Sequence, residues 1–123
     1  MLAVAAAAYG AEDLRIHARV ENARGVTVVT LPRYEAFTGQ ALALLQQGGR
    51  FVDIAGNDRI LITVLTPASL ATRELQADVV LDEPLLTDAS VRRVGLAVEV
   101  HELQVVVARV QARGGRVEHF YDY

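Results

Sequence analysis

The 123-residue chain contains no cysteine, and none of its apolar runs approaches the length of a membrane span. Without cysteine there is no disulfide, no thiolate nucleophile and no cysteine-ligated metal, and this composition favours a cytoplasmic location. A membrane-spanning helix needs ~20 consecutive apolar residues. We therefore expect no membrane partner.

Lysine is absent as well. All twelve basic residues are arginines, and they are scattered along the chain. No basic stripe alternates with aromatic residues, so no nucleic-acid partner is expected. Serine is scarce, and neither Ser69 nor Ser90 lies in a nucleophile-elbow sequence. "LQQGGR" lacks the lysine of a phosphate loop, and its glycines follow a helical pattern rather than precede one.

With 52% hydrophobic residues, the chain is expected to fold as one globular domain over residues 1–123. The opening "MLAVAAAAYGAED" has the short apolar run and small residues of a truncated signal peptide. It lacks the positively charged start of a signal peptide. We therefore predict a structural strand there.

Hydrophobic periodicity predicts the elements of the first half. Residues 14–21 alternate between apolar and polar, as a half-buried strand does. "NARG" then predicts a turn and "GVTVVTLP" a second strand. Apolar residues recur every three or four positions from Tyr34 to Leu45, which predicts a helix that ends at Gly48-Gly49.

In the second half, "RFVDIA", "GND" and "RILITVL" predict a hairpin. "PASLATRELQ" predicts a short helix or an irregular crossing, "ADVVLDEP" a strand, and the polar segment 85–93 a linker. "VGLAVEV" predicts another strand. The apolar stripe from Leu103 to Val110 predicts a helix that ends at Gly114-Gly115, before a last strand in "RVEHFYDY".

A strand, a helix, Gly-Gly-Arg and a strand therefore occur twice. This order predicts a duplicated βαβ-type module of about sixty residues. The first module is expected at residues 25–83, and the second at 91–123 together with N-terminal strands in 1–21. The alternative is a ferredoxin-like α+β sandwich in which the similarity is accidental.

The stretch "RRVGLAVEVHELQVVVARVQARGGRVEHFYDY", residues 92–123, resembles the vicinal-oxygen-chelate superfamily of glyoxalase I, extradiol dioxygenases and bleomycin-resistance proteins. The "AVEV"-like strand, the acidic helix start and "RGxxVE" carry the resemblance. It implies an α+β fold of paired βαβββ modules that form a cupped mixed sheet.

The resemblance also implies a closing hairpin that does not follow Tyr123. Because an unpaired sheet edge is usually avoided, the N-terminal strands are expected to cover it. They would do so in a permuted chain or by strand exchange in a homodimer. A shortened C-terminus is the alternative.

Metal-using members of that superfamily take a histidine from the opening strand of a module. "VTVV" and "VGLAV" contain none, so no metal and no cofactor are predicted. A small molecule that is partly aromatic or carbonyl-bearing is the expected ligand, held in a sheet-lined cup. The candidate ligand-binding residues are His17, Phe51, Arg59, His119, Tyr121 and Tyr123, and no catalytic residue is assigned.

Two other functions stay open. One is a metal-dependent lyase, isomerase or dioxygenase of the same fold, with a divalent ion held by His17 and His119. The other is an ACT-like ligand-sensing module, which "RVENARG" and "ARGGRVEHFYDY" resemble and which binds its effector between subunits. Mixed parallel pairing of two βαβ halves favours the superfamily, whereas a split βαβ with antiparallel hairpins favours the ACT-like module.

Overall fold

The computed structural model describes residues 15–32 and 35–121, which form an α+β structure of seven strands and two α-helices. The predicted strand within residues 1–14 lies outside the described residues. Two short 3₁₀ helices accompany these elements, at Thr72–Leu75 and Val100–Glu102. In chain order the elements are β1 (Arg15–Asn22), β2 (Gly25–Pro32), α1 (Glu35–Gln46), β3 (Arg50–Ile54), β4 (Arg59–Pro67), β5 (Asp78–Pro84), β6 (Val91–Glu99), α2 (Leu103–Ala112) and β7 (Arg116–Tyr121).

The first sheet has the strand order β2-β1-β3, with antiparallel pairing throughout. Ile16, Ala18 and Val20 of β1 are buried, and the residues between them are exposed, as the alternating pattern predicts. The turn after β1 is fixed by Asn22, whose side-chain Oδ1 accepts a hydrogen bond from the Arg24 N–H at 2.8 Å. This short turn pairs β1 with β2 locally, so β1 belongs to the first sheet and does not complete the second module.

The second sheet has the strand order β5-β6-β4-β7, again antiparallel at every pair. Strand β4 lies inside the sheet, between β6 and β7, and five consecutive residues, 62–66, are buried. The predicted hairpin of β3 with β4 is therefore wrong, because both edges of β4 are occupied by other strands. Instead the chain turns at Ala55 and Gly56, both with positive φ, and passes from one sheet to the other.

The predicted linker at residues 85–93 is also wrong in its second part, because β6 begins at Val91. Strands β5 and β6 form a hairpin in which Pro84 lies opposite Arg92 and Glu83 opposite Arg93. The polar side chains of this segment face charged partners across the hairpin, so polarity alone does not distinguish it from a linker.

Each helix connects two strands that flank a third. Helix α1 connects β2 to β3 across β1, and α2 connects β6 to β7 across β4. The strand–helix–strand order that the sequence predicts is thus present twice. In both units the flanking strands are parallel to each other and antiparallel to the strand between them, which is the pairing expected of the ACT-like alternative.

Both helices end in the same cap. The Gly48 N–H bonds to the Leu45 carbonyl at 3.1 Å and the Gly49 N–H to the Leu44 carbonyl at 2.9 Å, which is a Schellman motif. Gly114 and Gly115 repeat both bonds at the end of α2. The first glycine of each pair has a positive φ, and a Cβ on the second would lie 2.9 Å from a backbone oxygen. Each Gly-Gly pair is therefore required by the close return of the chain to its sheet.

A continuous core joins the two units. The inner faces of both sheets pack with the apolar faces of α1 and α2 in one cluster of buried residues. Phe37 of α1 meets Phe120 of β7 edge to face with the ring centroids 6.3 Å apart, and both rings are fully buried. The α+β class with cupped sheets is thereby confirmed. None of the described helices is long and apolar enough to cross a membrane.

We expect Gly115→Ala to lower the free energy of unfolding by about 1–3 kcal/mol, because its Cβ would lie 2.9 Å from both the Leu65 carbonyl oxygen and the Val110 side chain. Gly39→Ala is the matched control, since Gly39 lies inside α1 with open space around it. That change should stabilise the protein by about 0.5–1 kcal/mol. Urea denaturation measures the free energy of unfolding of both variants. Equal changes in the two variants would contradict the proposed role of the Gly114-Gly115 cap.

Candidate functional site

A cup of about 650 Å³ lies on the outer face of the second sheet. Neighbouring strands β5, β6, β4 and β7 supply its floor, and the first half of α1 supplies one rim. Polar side chains predominate, which sets this face apart from the apolar inner face of the same sheet. The lining residues are Thr38, Gly39, Thr63, Leu81, Glu83, Arg93, Glu118, His119 and Tyr121.

A β-bulge in β7 brings two successive side chains into this cup. Thr63 pairs with His119 and Val64 with Val117, so Glu118 is an extra residue between two regular pairs. In a regular strand, Glu118 and His119 would point to opposite faces. Because of the bulge, both line the cup. Val117, expected from the alternation to share a face with His119, instead packs against the core.

Arg93 and Glu118 form the charged centre of the cup. Arg93 donates from Nε to Oε1 of Glu118 at 2.8 Å and from Nη2 to Oε2 at 2.7 Å, while its Nη1 lies 3.5 Å from Glu83. The Arg93 guanidinium holds the pKa of the Glu118 carboxyl below its usual range, although partial burial acts in the opposite direction. The same contacts raise the pKa of Arg93. Among the lining residues one arginine lies between two carboxylates, and Arg116, outside the lining, also acts on Glu118 as a positive charge.

Two threonines line the cup, Thr38 at the rim and Thr63 on the floor, and they differ in their partners. Oγ1 of Thr38 accepts a hydrogen bond from the Phe120 N–H at 2.9 Å. Thr63 is only 3% exposed, and among the described residues its Oγ1 has no hydrogen-bond partner. The Thr63 hydroxyl is near enough to Glu118 to help lower the pKa of that carboxyl, but not in the geometry of a hydrogen bond.

An aromatic wall closes the side of the cup formed by β7. The rings of His119 and Tyr121 meet edge to face with their centroids 4.5 Å apart. Both side chains are half-buried. Such a pair offers two apolar ring faces, set at an angle to each other, to a ligand in the cup.

Of the six predicted ligand-binding residues, His119 and Tyr121 are the two that the structure brings together. His17 lies on the outer face of the first sheet, where its Nδ1 is 3.2 Å from Oγ1 of Thr30. There it lines a separate groove of about 500 Å³ together with Arg15 and Arg19. Arg19 forms an ion pair with Asp53 at 2.6 Å.

Of the remaining predicted residues, Phe51 and Arg59 lie elsewhere in the structure. Phe51 is fully buried in the core, because β3 turns its ring inward, so that ring offers no surface to a ligand. Arg59 is at the start of β4, where it forms ion pairs with Asp78 and, at 3.9 Å, with Glu99. Tyr123 lies outside the described residues.

The histidine pair of the metal-dependent alternative is not brought together, because His17 and His119 line different cavities on different sheets. Within residues 15–32 and 35–121, no three histidine or acidic side chains converge as metal ligands do. His101 is exposed beside Glu102, and its carbonyl accepts a hydrogen bond from Nε of Arg50 at 3.0 Å. That contact links the second 3₁₀ helix to β3.

Sequence reasoning missed Thr38, Thr63, Arg93 and Glu118 as members of the site. Arg93 was hidden in the supposed linker, although it continues the alternation of β6, in which Val94, Leu96 and Val98 are buried. That alternation is the signal that identifies Arg93. Glu118 has no comparable signal, since its orientation depends on the bulge.

Comparison with known proteins adds no relative: no family model, no curated protein and no solved structure matches this chain.

We expect Thr63→Val to raise the free energy of unfolding of the ligand-free protein by about 1 kcal/mol, because it removes an unsatisfied buried hydroxyl while preserving shape. Thr38→Val is the matched control. It should cost about 1–2 kcal/mol, since it leaves the Phe120 N–H without its acceptor. Thermal and urea unfolding measure both changes. A loss of stability in Thr63→Val would mean that this hydroxyl is already bonded, to Glu118 for example.

The Arg93–Glu118 pair predicts a specific pH dependence. Because the pKa of Glu118 is lowered in the folded protein, its contribution is present above the unfolded-state value of ~4.3 and is lost as pH falls through the lowered native pKa. Glu118→Gln should therefore be less stable than the wild type at pH 7. The difference should shrink on acidification below about pH 4.3. A difference that stays constant from pH 7 to pH 2.5 would contradict this assignment.

Proposed function

We propose that this protein is a small-molecule-binding module and that its ligand enters the cup on the second sheet. The observation that carries the proposal is the buried, unpartnered Thr63 hydroxyl in a cavity of about 650 Å³. Leaving such a group unsatisfied costs about 1–3 kcal/mol, and a ligand that bonds to it removes that cost. Capture in the cup needs no covalent step.

The charges of the cup indicate the chemistry of the ligand. Among the lining residues, Glu83 and Glu118 face a single arginine, and Arg93 already binds Glu118 through two parallel hydrogen bonds. An anion would have to compete with Glu118 for the guanidinium and would be repelled by both carboxylates. The ligand class that fits is a flat molecule, neutral or positively charged, whose amine or amide reaches Thr63 while its ring contacts His119 and Tyr121.

The resemblance of residues 92–123 to the vicinal-oxygen-chelate superfamily supports this proposal through sequence pattern alone, because the antiparallel strand pairing is the one expected of the ACT-like alternative. Within that superfamily the sequestering, bleomycin-resistance-like branch binds its ligand without a chemical step, as we propose here. A cytoplasmic location, which the lack of cysteine favours, belongs to the same proposal.

The second candidate function is an ACT-like ligand-sensing module. The observation in its favour is the antiparallel pairing in both units, where each helix crosses over one strand. Its effector would lie between two subunits, so binding would weaken on dilution to the monomer. Ligand affinity for the cup is instead expected to be the same at every protein concentration. Measuring ligand affinity at several protein concentrations therefore separates the two functions.

Calorimetric titration with tyramine, benzamide and benzoate tests the proposed ligand class. We expect the cationic and the neutral aromatic probe to bind and the anionic probe not to bind. His119→Ala should weaken tyramine binding about tenfold, equivalent to ~1.4 kcal/mol. His17→Ala is the control, because it changes a histidine in the other groove and should leave binding unchanged. Tighter binding of benzoate, or equal effects of the two histidine variants, would contradict the cup as the site.

A further inference from the structure

Within residues 15–32 and 35–121, each sheet has one edge that another element covers and one edge that no strand covers. The outer edge of β7 is covered by α1, where Thr38 bonds to the Phe120 N–H, and β3 lies beside the second 3₁₀ helix, where Arg50 bonds to the His101 carbonyl. Along the described part of the chain, no strand pairs with the outer edge of β2 or of β5. Every second residue of these two strands therefore presents an unpaired N–H and C=O.

Strand β5 carries features that prevent association. Its pairing with β6 shifts register at Val80, which is a bulge, and the strand ends at Pro84. Three of its seven residues are acidic, so a second β5 alongside would bring carboxylates together. Bulges, prolines and charges are the usual means by which edge strands avoid other chains.

Strand β2 has none of these protections in its interior. Its sequence GVTVVTLP contains no charged residue, and its proline is the last residue. The strand pairs with β1 over eight consecutive residues without a register shift. Val26 and Val28 are 55% and 62% exposed on the outer face of the sheet. A long, regular, uncharged and apolar edge is a template for another strand.

We propose that β2 is a self-association edge, at which the β2 strands of two copies pair antiparallel about a two-fold axis. The axis is perpendicular to the sheet, so the outer faces of both copies stay on the same side and the two three-stranded sheets become one sheet of six strands. With the axis at Val28, this residue lies beside its counterpart, Val26 faces Thr30, and Thr27 faces Val29. The valines pack together without any charge between the copies.

A second copy of the chain is the occupant that these observations favour. The strand is complementary to itself, because an antiparallel pairing through Val28 places apolar and threonine side chains opposite one another. A two-fold contact is also closed, so it ends at a dimer and does not extend into a fibre. One strand pair buries less than a standard interface of ~1,600 Å². The dimer is therefore expected to dissociate in the micromolar range.

Sedimentation velocity from 2 to 200 μM measures this association in the full-length chain. We expect the wild type to shift from the 13.3 kDa monomer to twice that mass across the range. Val28→Lys places two like charges side by side at the axis, and it should remain monomeric at every concentration. Val80→Lys is the matched control, since Val80 is 59% exposed on the other open edge. It should dimerise as the wild type does.

Circular dichroism and thermal unfolding of each variant separate loss of association from loss of folding, because substitutions at such exposed positions change stability little. A wild type that stays monomeric at 200 μM would overturn the proposal. So would a result in which Val80→Lys stays monomeric while the wild type and Val28→Lys dimerise. Deletion of residues 1–14 adds a further test. If the truncated chain dimerises and the full-length chain does not, the N-terminal segment rather than a second copy occupies the β2 edge.

Discussion

The bulge in β7 is the constraint on which the candidate site depends. It inserts Glu118 between two regular pairs, opposite the junction of Thr63 and Val64. Regular alternation would send either the Glu118 carboxylate or the His119 ring toward the core. The extra residue keeps both in the cup, while Phe120 and Val117 still contact the core. Arg93, on the same outer face of β6, reaches across β4 and lies within hydrogen-bond distance of both carboxylate oxygens of Glu118.

The two crossover units place that bulge within a common framework. Each helix returns to its sheet one strand away, and each return needs a Schellman cap followed by a glycine that has no room for a side chain. Helix α1 belongs to the first unit, yet Thr38 binds the backbone of β7 and forms part of the rim of the cup. The rim of the cup therefore depends on the first unit, and its floor on the second. A stability change in either unit is expected to alter the site.

The predictability of this structure differs from residue to residue. Periodicity identifies the alternation of β1 and the buried positions of α2, and the Gly-Gly pairs locate both helix ends, because these depend on local chemistry. Strand pairing does not follow from local pattern: β3 and β4 are neighbours in the chain but belong to different sheets. His119 and Tyr121 are found by alternation. Glu118 is not, since a bulge reverses that alternation without any change in composition.

The charge of β5 connects the cup to the protection of a sheet edge. Glu83 lies 3.5 Å from Arg93 in the cup, and Asp82 pairs with Arg92 at 2.7 Å, yet both acids also belong to an open edge strand. Replacing them to change ligand preference would also remove the repulsion that keeps this edge free. Strand β2 lies on the other sheet and contributes no residue to the cup. Ligand binding in the cup and self-association through β2 therefore depend on separate surfaces. A substitution at Val28 is expected to change self-association and to leave the residues of the cup unchanged.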